Sequence, residues 1–210
     1  MQEILPGVYL VEQNGRKGFG YAHFVRRPGG NLMLDTSRTT SMSDTFAEMT
    51  AAGGVAAVVI SDRHLGGPPT NEIAQHFGAR VYCSQIEADA MGHRTNAVHI
   101  DHVLPYERTT IEGDVRLIPT PGHTAGQFGT LCEVGGRKIL FSSDFVWRAD
   151  GQWRPGNSSR RKMKPSFEAL RDLMFDTVVP WTGYSHTEFF VDVPDVNAVV
   201  DAMIAACPKP

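Results

Sequence analysis

The sequence predicts an α/β fold in which antiparallel hairpins occur beside strand–helix units. Apolar and polar residues alternate over residues 7–11, 20–25 and 31–35, which is typical of antiparallel strands, and Pro28-Gly29-Gly30 supplies a turn. Residues 55–60 form an uninterrupted apolar run, as expected of a strand that is covered on both faces. Together these patterns favour layers of helices and mixed sheet over a purely parallel sheet.

Helical patterns connect and follow these strands. The first covers residues 43–52, with Ser41 or Ser43 as the expected N-cap and Gly53-Gly54 as the expected end. Further helices are predicted over residues 71–77 (ending at Gly78), 85–91, 166–174 and 196–206, and further strands over residues 80–83, 115–119, 129–134 and 138–142.

Length and charge restrict the class of protein. The chain has 210 residues, with 20 basic and 23 acidic side chains and a formal net charge of -3. This length suits one ordinary domain, so we expect a single domain over residues 1–210. Because the charge balance provides no overall basic field, a nucleic-acid partner is not expected.

Cysteine usage and hydropathy bear on the compartment. Cys83, Cys132 and Cys207 are widely spaced and form no C-x-x-C pair, which indicates free thiols in a reducing environment. The first residues lack the pattern of a secretory signal, and no window approaches a membrane-spanning apolar run. We therefore expect a cytoplasmic protein with no membrane partner.

The most informative segment is Thr120-Pro121-Gly122-His123-Thr124-Ala125-Gly126-Gln127, which lies between two predicted strands. It resembles the T-P-G-H-T-x-G signature of the metallo-β-lactamase superfamily. Residues 5–9, 32–36, 139–144 and 166–180 resemble further segments of that family in the same chain order. The resemblance implies an αββα sandwich, two mixed β-sheets flanked by helices, with a metal site along one edge.

The family resemblance also implies where the metal ligands lie. In the family, the loop after the strand that corresponds to residues 55–60 carries H-x-H-x-D-H. An ungapped alignment places Asp62 and His64 at the first two ligand positions, and Gly66 and Gly67 at the positions of the aspartate and the last histidine. If the backbone is extended there, the side chains of Asp62 and His64 project to one face.

The later segments add His123 and Asp144, so the predicted metal ligands are Asp62, His64, His123 and Asp144. Two imidazoles and two carboxylates suit one divalent ion of zinc, iron or manganese. Such an ion lowers the pKa of bound water and polarises a carbonyl or phosphoryl oxygen. Without a metal, Asp62 could cap a turn, His64 could be a hydrogen-bonding loop residue, and Asp144 could tie down strand-end amides.

A second metal site is predicted to be absent. The glycines at positions 66 and 67 replace two of its ligands, and the family's final P-G-H-G turn is here Pro180-Trp181-Thr182-Gly183, which puts Thr182 in place of the last histidine. His186 follows four residues later and could substitute only if the loop bends back.

The other histidines are interpreted without metal. His99-Ile100-Asp101-His102 imitates part of the family motif, but it lies in a segment that the family uses as a connection, so we interpret it as a polar loop. His23, His76 and His93 are expected on strand, helix and loop surfaces, respectively.

The rim of the pocket is predicted to bind substrate through Trp147, Arg160, Trp181 and Thr182. Basic residues cluster in the same region: Arg154, Arg160, Arg161, Lys162 and Lys164. Two interpretations remain open for this cluster, a lid that attracts an anionic substrate and an ordinary solvated surface, and the second is favoured.

These observations predict a metal-dependent hydrolase of an ester, thioester, lactone or phosphoester, with a small molecule as its partner. The alternative is a non-catalytic relative that has lost its metals and serves as a binding or assembly module, because losing the residue that orients water removes much of the rate. An iron centre with redox chemistry is a weaker option, since nothing identifies a cosubstrate site. A homodimer is compatible with either function.

Overall fold

The computed structural model describes residues 1–12, 21–36, 40–92, 98–157, 160–181 and 186–207. The chain divides into two compact units, Met1–Tyr106 and Glu107–Pro210, which we call the N-terminal and C-terminal units. Each unit contains one large mixed sheet and its own helices.

The N-terminal unit is built on a seven-stranded sheet whose strands lie in sequence order. Its strands are β1 (Gln2–Leu5), β2 (Val8–Glu12), β3 (Tyr21–Val25), β4 (Leu32–Leu34), β5 (Ala57–Ile60), β6 (Arg80–Ser84) and β7 (His102–Leu104). Strands β1 to β4 pair antiparallel, and β4 to β7 pair parallel. Its helices are a 3-10 helix (Ser43–Thr45), α1 (Phe46–Ala51), α2 (Pro68–Phe77) and α3 (Gln85–Gly92).

Three helices and the sheet form the core of this unit. Met49 of α1, Ile73 of α2 and Met91 of α3 are buried in one cluster with strand residues such as Val58 and Val81. Every residue of β5 is buried, as predicted for the apolar run at residues 55–60. Burial of this apolar surface is the main favourable contribution to the unit's stability.

The helix ends differ in part from the sequence prediction. Ser43 begins a 3-10 helix and α1 begins only at Phe46, without a side-chain cap hydrogen bond, so the predicted N-cap at Ser41 or Ser43 is wrong. Helix α2 begins at Pro68, earlier than predicted, because the fixed φ of proline suits a first helical turn. It ends at Gly78, which has the left-handed φ of 68° that favours glycine.

The C-terminal unit has a six-stranded sheet and a separate hairpin. The sheet strands are β8 (Thr109–Ile111), β9 (Val115–Pro119), β10 (Phe128–Val134), β11 (Arg137–Ser143), β14 (Thr177–Pro180) and β15 (Val191–Asp192), and the hairpin strands are β12 (Val146–Ala149) and β13 (Gln152–Pro155). The sheet order is β15-β14-β11-β10-β9-β8, with only β11 and β14 parallel among the described pairs. The helices are α4 (Arg160–Glu168) and α5 (Val196–Ala206).

Helix α4 lies earlier in the chain than predicted. The pattern at residues 166–174 predicted a helix, but α4 ends at Glu168 and turns follow. Phe167 of the helix, Leu170 of the following turn and Leu173 just after that turn are buried in the same core cluster, so one buried face continues beyond the end of the helix. Helix α5 has its predicted bounds, and the carboxylate of Asp195 caps it by accepting hydrogen bonds from two backbone amides.

The two mixed sheets with their helices confirm the predicted α/β class. Strands outnumber helices in both units, and hairpins accompany the parallel pairs, as the early turn and alternation patterns indicated. Within the described part of the chain, no helix is long and apolar enough to cross a membrane.

His23 does not lie on a strand surface, contrary to the sequence prediction. His23 lies in the middle of β3, where it pairs with Leu10 of β2 and with Leu34 of β4. The residue is only 3% exposed. Burial disfavours the charged imidazolium and lowers the pKa of His23 to about 3.

We expect this histidine to make the fold sensitive to acid. The unfolded chain takes up the proton below its ordinary pKa near 6.5, whereas the folded chain does so only near pH 3, so stability falls as pH decreases through that window, by up to about 1.4 kcal/mol per pH unit. Urea unfolding between pH 7 and pH 4 should show a weaker pH dependence for His23→Leu than for the wild type. The exposed His76→Gln serves as the control, and an unchanged pH dependence in His23→Leu would contradict the assignment.

Candidate metal centre

The loop at residues 120–127 joins β9 to β10 and carries His123. Thr120 and Gln127 close it, because the backbone amide of Thr120 donates to the carbonyl of Gln127 at 2.9 Å. Inside the loop, the amide of Gly122 donates to the carbonyl of Thr124 at 3.0 Å. The Pro-Gly-His motif is thus held in a tight turn between two paired strands, as its sequence context predicted.

Gly156 determines how the ring of His123 is oriented. Nδ1 of His123 lies 2.8 Å from the carbonyl oxygen of Gly156, and because a carbonyl can only accept, Nδ1 carries the hydrogen. The lone pair of a neutral ring is then on Nε2. Gly156 was not identified from the sequence, since it follows the hairpin and belongs to no motif.

Gly156 also approaches the backbone of Asp144 closely. Its amide donates to the carbonyl of Phe145 at 2.8 Å, and a Cβ added at this position would overlap the carbonyl oxygen of Asp144. Only glycine fits here without a shift of the backbone. One residue therefore positions both the histidine loop and the aspartate.

Asp144 follows directly after β11. The preceding Ser143 has a left-handed φ of 51°, and the turn is closed by the amide of Phe145, which donates to the carbonyl of Ser142 at 3.0 Å. The side chain of Asp144 is only 13% exposed, and its Oδ1 accepts no hydrogen bond from the described residues. Burial raises the pKa of Asp144 to about 6, although the neighbouring His123 acts in the opposite direction.

The pair formed by His123 and Asp144 suits a cation. Nε2 of His123 and Oδ2 of Asp144 are 3.7 Å apart, which is too long for a hydrogen bond. With the hydrogen on Nδ1, the two facing atoms are both electron-pair donors when Asp144 is ionised. A divalent ion that binds both would offset their mutual repulsion, and a histidine held by a backbone carbonyl through its other nitrogen is the usual support for a metal ligand.

In the N-terminal unit, Asp35 anchors the loop that follows β5. Its Oδ1 accepts hydrogen bonds from the backbone amide of Ser61 at 2.9 Å and from the hydroxyl of Ser61 at 2.6 Å. Asp35 has a left-handed φ of 64°, a conformation that aspartate tolerates better than most residues. The strand end at β4 therefore holds the first residue of the predicted ligand loop.

The two predicted ligands of this loop lie in a turn. The amide of Leu65 donates to the carbonyl of Asp62 at 3.1 Å, and the amide of His64 donates to Oδ1 of Asp62 at 2.6 Å. The expectation of extended backbone here is wrong, because these hydrogen bonds close a turn instead. Asp62 is fully buried and His64 is half-buried, and Asp62 does cap the turn, although a carboxylate retains further acceptor sites.

An ion pair between Arg63 and Glu87 was not anticipated from the sequence. The side chain of Glu87, at the start of α3, is fully buried and accepts hydrogen bonds from Nε of Arg63 at 2.7 Å and from Nη2 at 2.9 Å. It also accepts one from the backbone amide of Arg63 at 2.8 Å. The turn between Asp62 and His64 is thus tied to α3 by three hydrogen bonds.

The glycines that replace two family ligands have packing roles. A Cβ at Gly66 would lie 3.1 Å from the side chain of Ile60, which leaves little room for aspartate. Gly67 is the N-cap of α2, and its amide donates to the hydroxyl of Thr70 at 3.3 Å. Gly66 thus allows close packing against Ile60, and Gly67 serves the start of a helix.

The predicted substrate-binding residues are described only in part. Trp147 lies on β12 and is half-buried, and the amide of Trp181 donates to the carbonyl of Ser143 at 3.1 Å, which places its backbone beside the end of β11. The side chain of Arg160, at the start of α4, and all of Thr182 lie outside the described structure. Their roles remain predictions.

The remaining histidine candidates have other neighbours. His186 is 72% exposed, and its Nδ1 lies 3.9 Å from a carboxylate oxygen of Asp150. In the 99–102 segment, Nε2 of His99 is 3.2 Å from Asp101, while the ring of His102 stacks on that of Tyr82 with centroids 4.6 Å apart. His93 lies outside the described residues.

Replacing Gly156 by alanine should disturb both His123 and Asp144. The added methyl overlaps the Asp144 carbonyl, so we expect the free energy of unfolding to fall by about 1–3 kcal/mol, as for other overpacked sites. Chemical denaturation measures the loss, and the imidazole signals of His123 report any change of its ring. Gly92→Ala, where nothing lies within 4 Å of the added methyl, is the control. Equal stability of the two variants would contradict the tight packing of Gly156 against Asp144.

Replacing Asp144 by asparagine should stabilise metal-free protein at neutral pH. The folded state keeps the Asp144 proton up to about pH 6, whereas the unfolded chain releases it near its ordinary pKa of 3.8, so stability falls as pH rises through that window. Urea unfolding in chelator should give Asp144→Asn a relative gain of roughly 1–3 kcal/mol between pH 4 and pH 7. The exposed Asp150→Asn is the control, and a gain that does not depend on pH would contradict the burial argument.

The sequence model of one protein family, described as the metallo-beta-lactamase superfamily, matches residues 15–182 of the chain. No curated protein sequence matches the chain.

Solved metallo-β-lactamase structures share its fold at low identity. The one from Pontibacter korlensis is 16% identical, with 97% of each chain covered and a TM-score of 0.71. One from Cronobacter sakazakii, described by a HARLDQ motif, is 18% identical and covers 85% of this chain and 79% of its own at a TM-score of 0.62. A class B3 di-zinc enzyme from an Alaskan soil metagenome is 16% identical and covers 85% and 76%, respectively, at a TM-score of 0.60.

At such identities the structural likeness shows the fold alone. The match to the family model also shows common ancestry. It covers most of the chain, including the loops of Asp62, His123 and Asp144, and supports a metal-dependent, hydrolase-like fold. The chain therefore belongs to the metallo-β-lactamase superfamily.

Proposed function

We propose that the protein is a metal-dependent hydrolase that binds one divalent ion through Asp62, His64, His123 and Asp144. The substrate would be an ester, thioester, lactone or phosphoester. The observation that carries the proposal is the arrangement of His123 and Asp144, two buried or half-buried ligand atoms that face each other at 3.7 Å and do not hydrogen-bond. Family membership supports the same chemistry.

When bound, zinc, iron or manganese would lower the pKa of water toward neutrality and polarise the substrate oxygen. The protein's own residues would prepare the site. Gly156 keeps the hydrogen of His123 on Nδ1, so Nε2 remains available as a ligand. Burial of Asp144 makes its ionised form costly without a cation, which couples metal binding to loss of a proton.

In the N-terminal unit, Asp35 and Glu87 would hold the ligand turn. Asp35 fixes Ser61, and Glu87 fixes Arg63, so the residues on both sides of Asp62 are anchored. Such outer hydrogen bonds orient metal ligands in many proteins.

Elemental analysis of the purified protein tests the proposal. We expect about one equivalent of a divalent metal in the wild type, and a loss of metal affinity of at least about tenfold in His123→Ala, which removes a ligand, and in Asp62→Asn, which removes the negative charge of one. His99→Ala, which removes an exposed histidine, should retain the metal.

Hydrolysis of a panel of ester, thioester, lactone and phosphodiester substrates then tests the activity. Activity that is present in the wild type and lost in His123→Ala supports the proposal. Absence of stoichiometric metal in the wild type, even after zinc, iron(II) and manganese are supplied, would overturn it and favour the alternative of a non-catalytic binding or assembly module.

A further inference from the structure

A cavity of about 320 Å³ lies beside His123 in the C-terminal unit. The histidine loop, residues 121–125, lines one part of it, and Asn157 and Lys162 line another. Its volume is within the range of small-molecule sites. The cavity therefore leaves room for a small molecule directly beside His123, one of the proposed metal-binding residues.

The charge in this cavity is positive. Lys162, in the first turn of α4, is exposed and forms no ion pair with the described residues, and none of the described lining residues is acidic. The first turn of a helix adds partial positive charge from its free backbone amides. The other basic residues of this segment that are described, Arg154, Arg161 and Lys164, do not line the cavity.

Thr124 supplies a second, independent indication of a ligand. The residue is only 8% exposed, and its hydroxyl oxygen is buried without a hydrogen bond to the described residues. A buried hydroxyl without a hydrogen-bond partner is destabilising, so such groups normally have one. Because Thr124 lines the cavity, a ligand there is the natural acceptor for this hydroxyl.

The walls of the cavity are held in a fixed relation to each other. The hydroxyl of Ser166 on α4 donates to the carbonyl of Pro121 at 2.6 Å. A Cβ at Gly122 would overlap the sulfur of Met163, so the loop and α4 are in close contact. Lys162 is thereby kept at the same cavity as His123 and Thr124.

We propose that this cavity binds an anionic group of the substrate, a carboxylate or a phosphate, through the ammonium of Lys162 and the hydroxyl of Thr124. This names the substrate class of the proposed hydrolase and rests on that proposed function: the substrate is an acid that carries a second, hydrolysable bond. Charge from Lys162 attracts the anion, and the donor hydroxyl of Thr124 orients it.

Calorimetric titration with inorganic phosphate and with acetate tests binding independently of hydrolysis. The protein is kept in chelator, so that no metal contributes, and in low salt, because salt screens exposed charges. We expect binding that weakens by about tenfold in Lys162→Ala and severalfold in Thr124→Val, but not in Lys162→Arg or Thr124→Ser, since the conservative variants keep the charge or the hydroxyl. The stronger of the two probes distinguishes phosphate from carboxylate.

Lys164→Ala is the matched control, because it removes the same charge from the same helix outside the cavity. Equal weakening by Lys164→Ala and Lys162→Ala would indicate general attraction to a basic surface and overturn the proposal. Absence of binding by both probes in the wild type would also overturn it.

A second measurement compares a neutral substrate, 4-nitrophenyl acetate, with an anionic one, mono-4-nitrophenyl succinate. Lys162→Ala should reduce kcat/KM for the anionic ester by about tenfold and leave the neutral ester nearly unchanged. Equal effects on both esters would contradict the subsite while the hydrolase stands. Lys162-dependent anion binding by a protein that takes up no stoichiometric metal, even when zinc, iron(II) and manganese are supplied, would instead retain the subsite and overturn the hydrolase.

Discussion

The carbonyl oxygen of Gly156, 2.8 Å from Nδ1 of His123, determines which ring nitrogen is available at the candidate metal centre. The same residue packs against the backbone of Asp144 so closely that no side chain fits. The two groups that face each other across 3.7 Å therefore depend on one glycine outside every recognised motif. Without the hydrogen bond to Gly156, either ring nitrogen of His123 could face Asp144. The pair would then have no fixed geometry.

In the N-terminal unit, the predicted ligand turn is also held by contacts from distant parts of the chain, but carboxylates make these contacts. Here two buried carboxylates hold a short turn, Asp35 from the end of β4 and Glu87 from the start of α3. Each accepts hydrogen bonds from a backbone amide and from the side chain of the same residue, Ser61 or Arg63. Burying a charged group is costly unless it is paired, so these contacts indicate that the conformation of the turn matters to the fold or to its chemistry.

The structure gives a physical reason for the residues at positions 62, 66 and 67, where the chain departs from the family motif. Gly66 packs against Ile60 and Gly67 starts α2, so the two positions contribute to local packing. Adding the family's aspartate at position 66 would require Ile60 to move. Asp62, at the family's first histidine position, accepts a hydrogen bond from the amide of His64, which a carboxylate oxygen does readily at a turn.

The sequence by itself determined the family, the α/β class and most strand and helix positions. Those features depend on local patterns, such as the apolar run of β5, the glycine that ends α2 and the Pro-Gly-His motif, and local patterns are visible without coordinates. Helix α4 was misplaced because buried residues at helical spacing continue into the turns that follow it. His23 was misjudged because alternation does not reveal when both faces of a sheet are covered.

Only the tertiary structure decided the contacts between residues distant in sequence. Gly156 is separated from His123 by 33 positions and Glu87 from Arg63 by 24, and no spacing rule connects them. The buried hydroxyl of Thr124 and the charge of Lys162 are significant only because both line one cavity. Types and order of residues specify which groups are present, whereas burial and the geometry between segments specify what those groups can do.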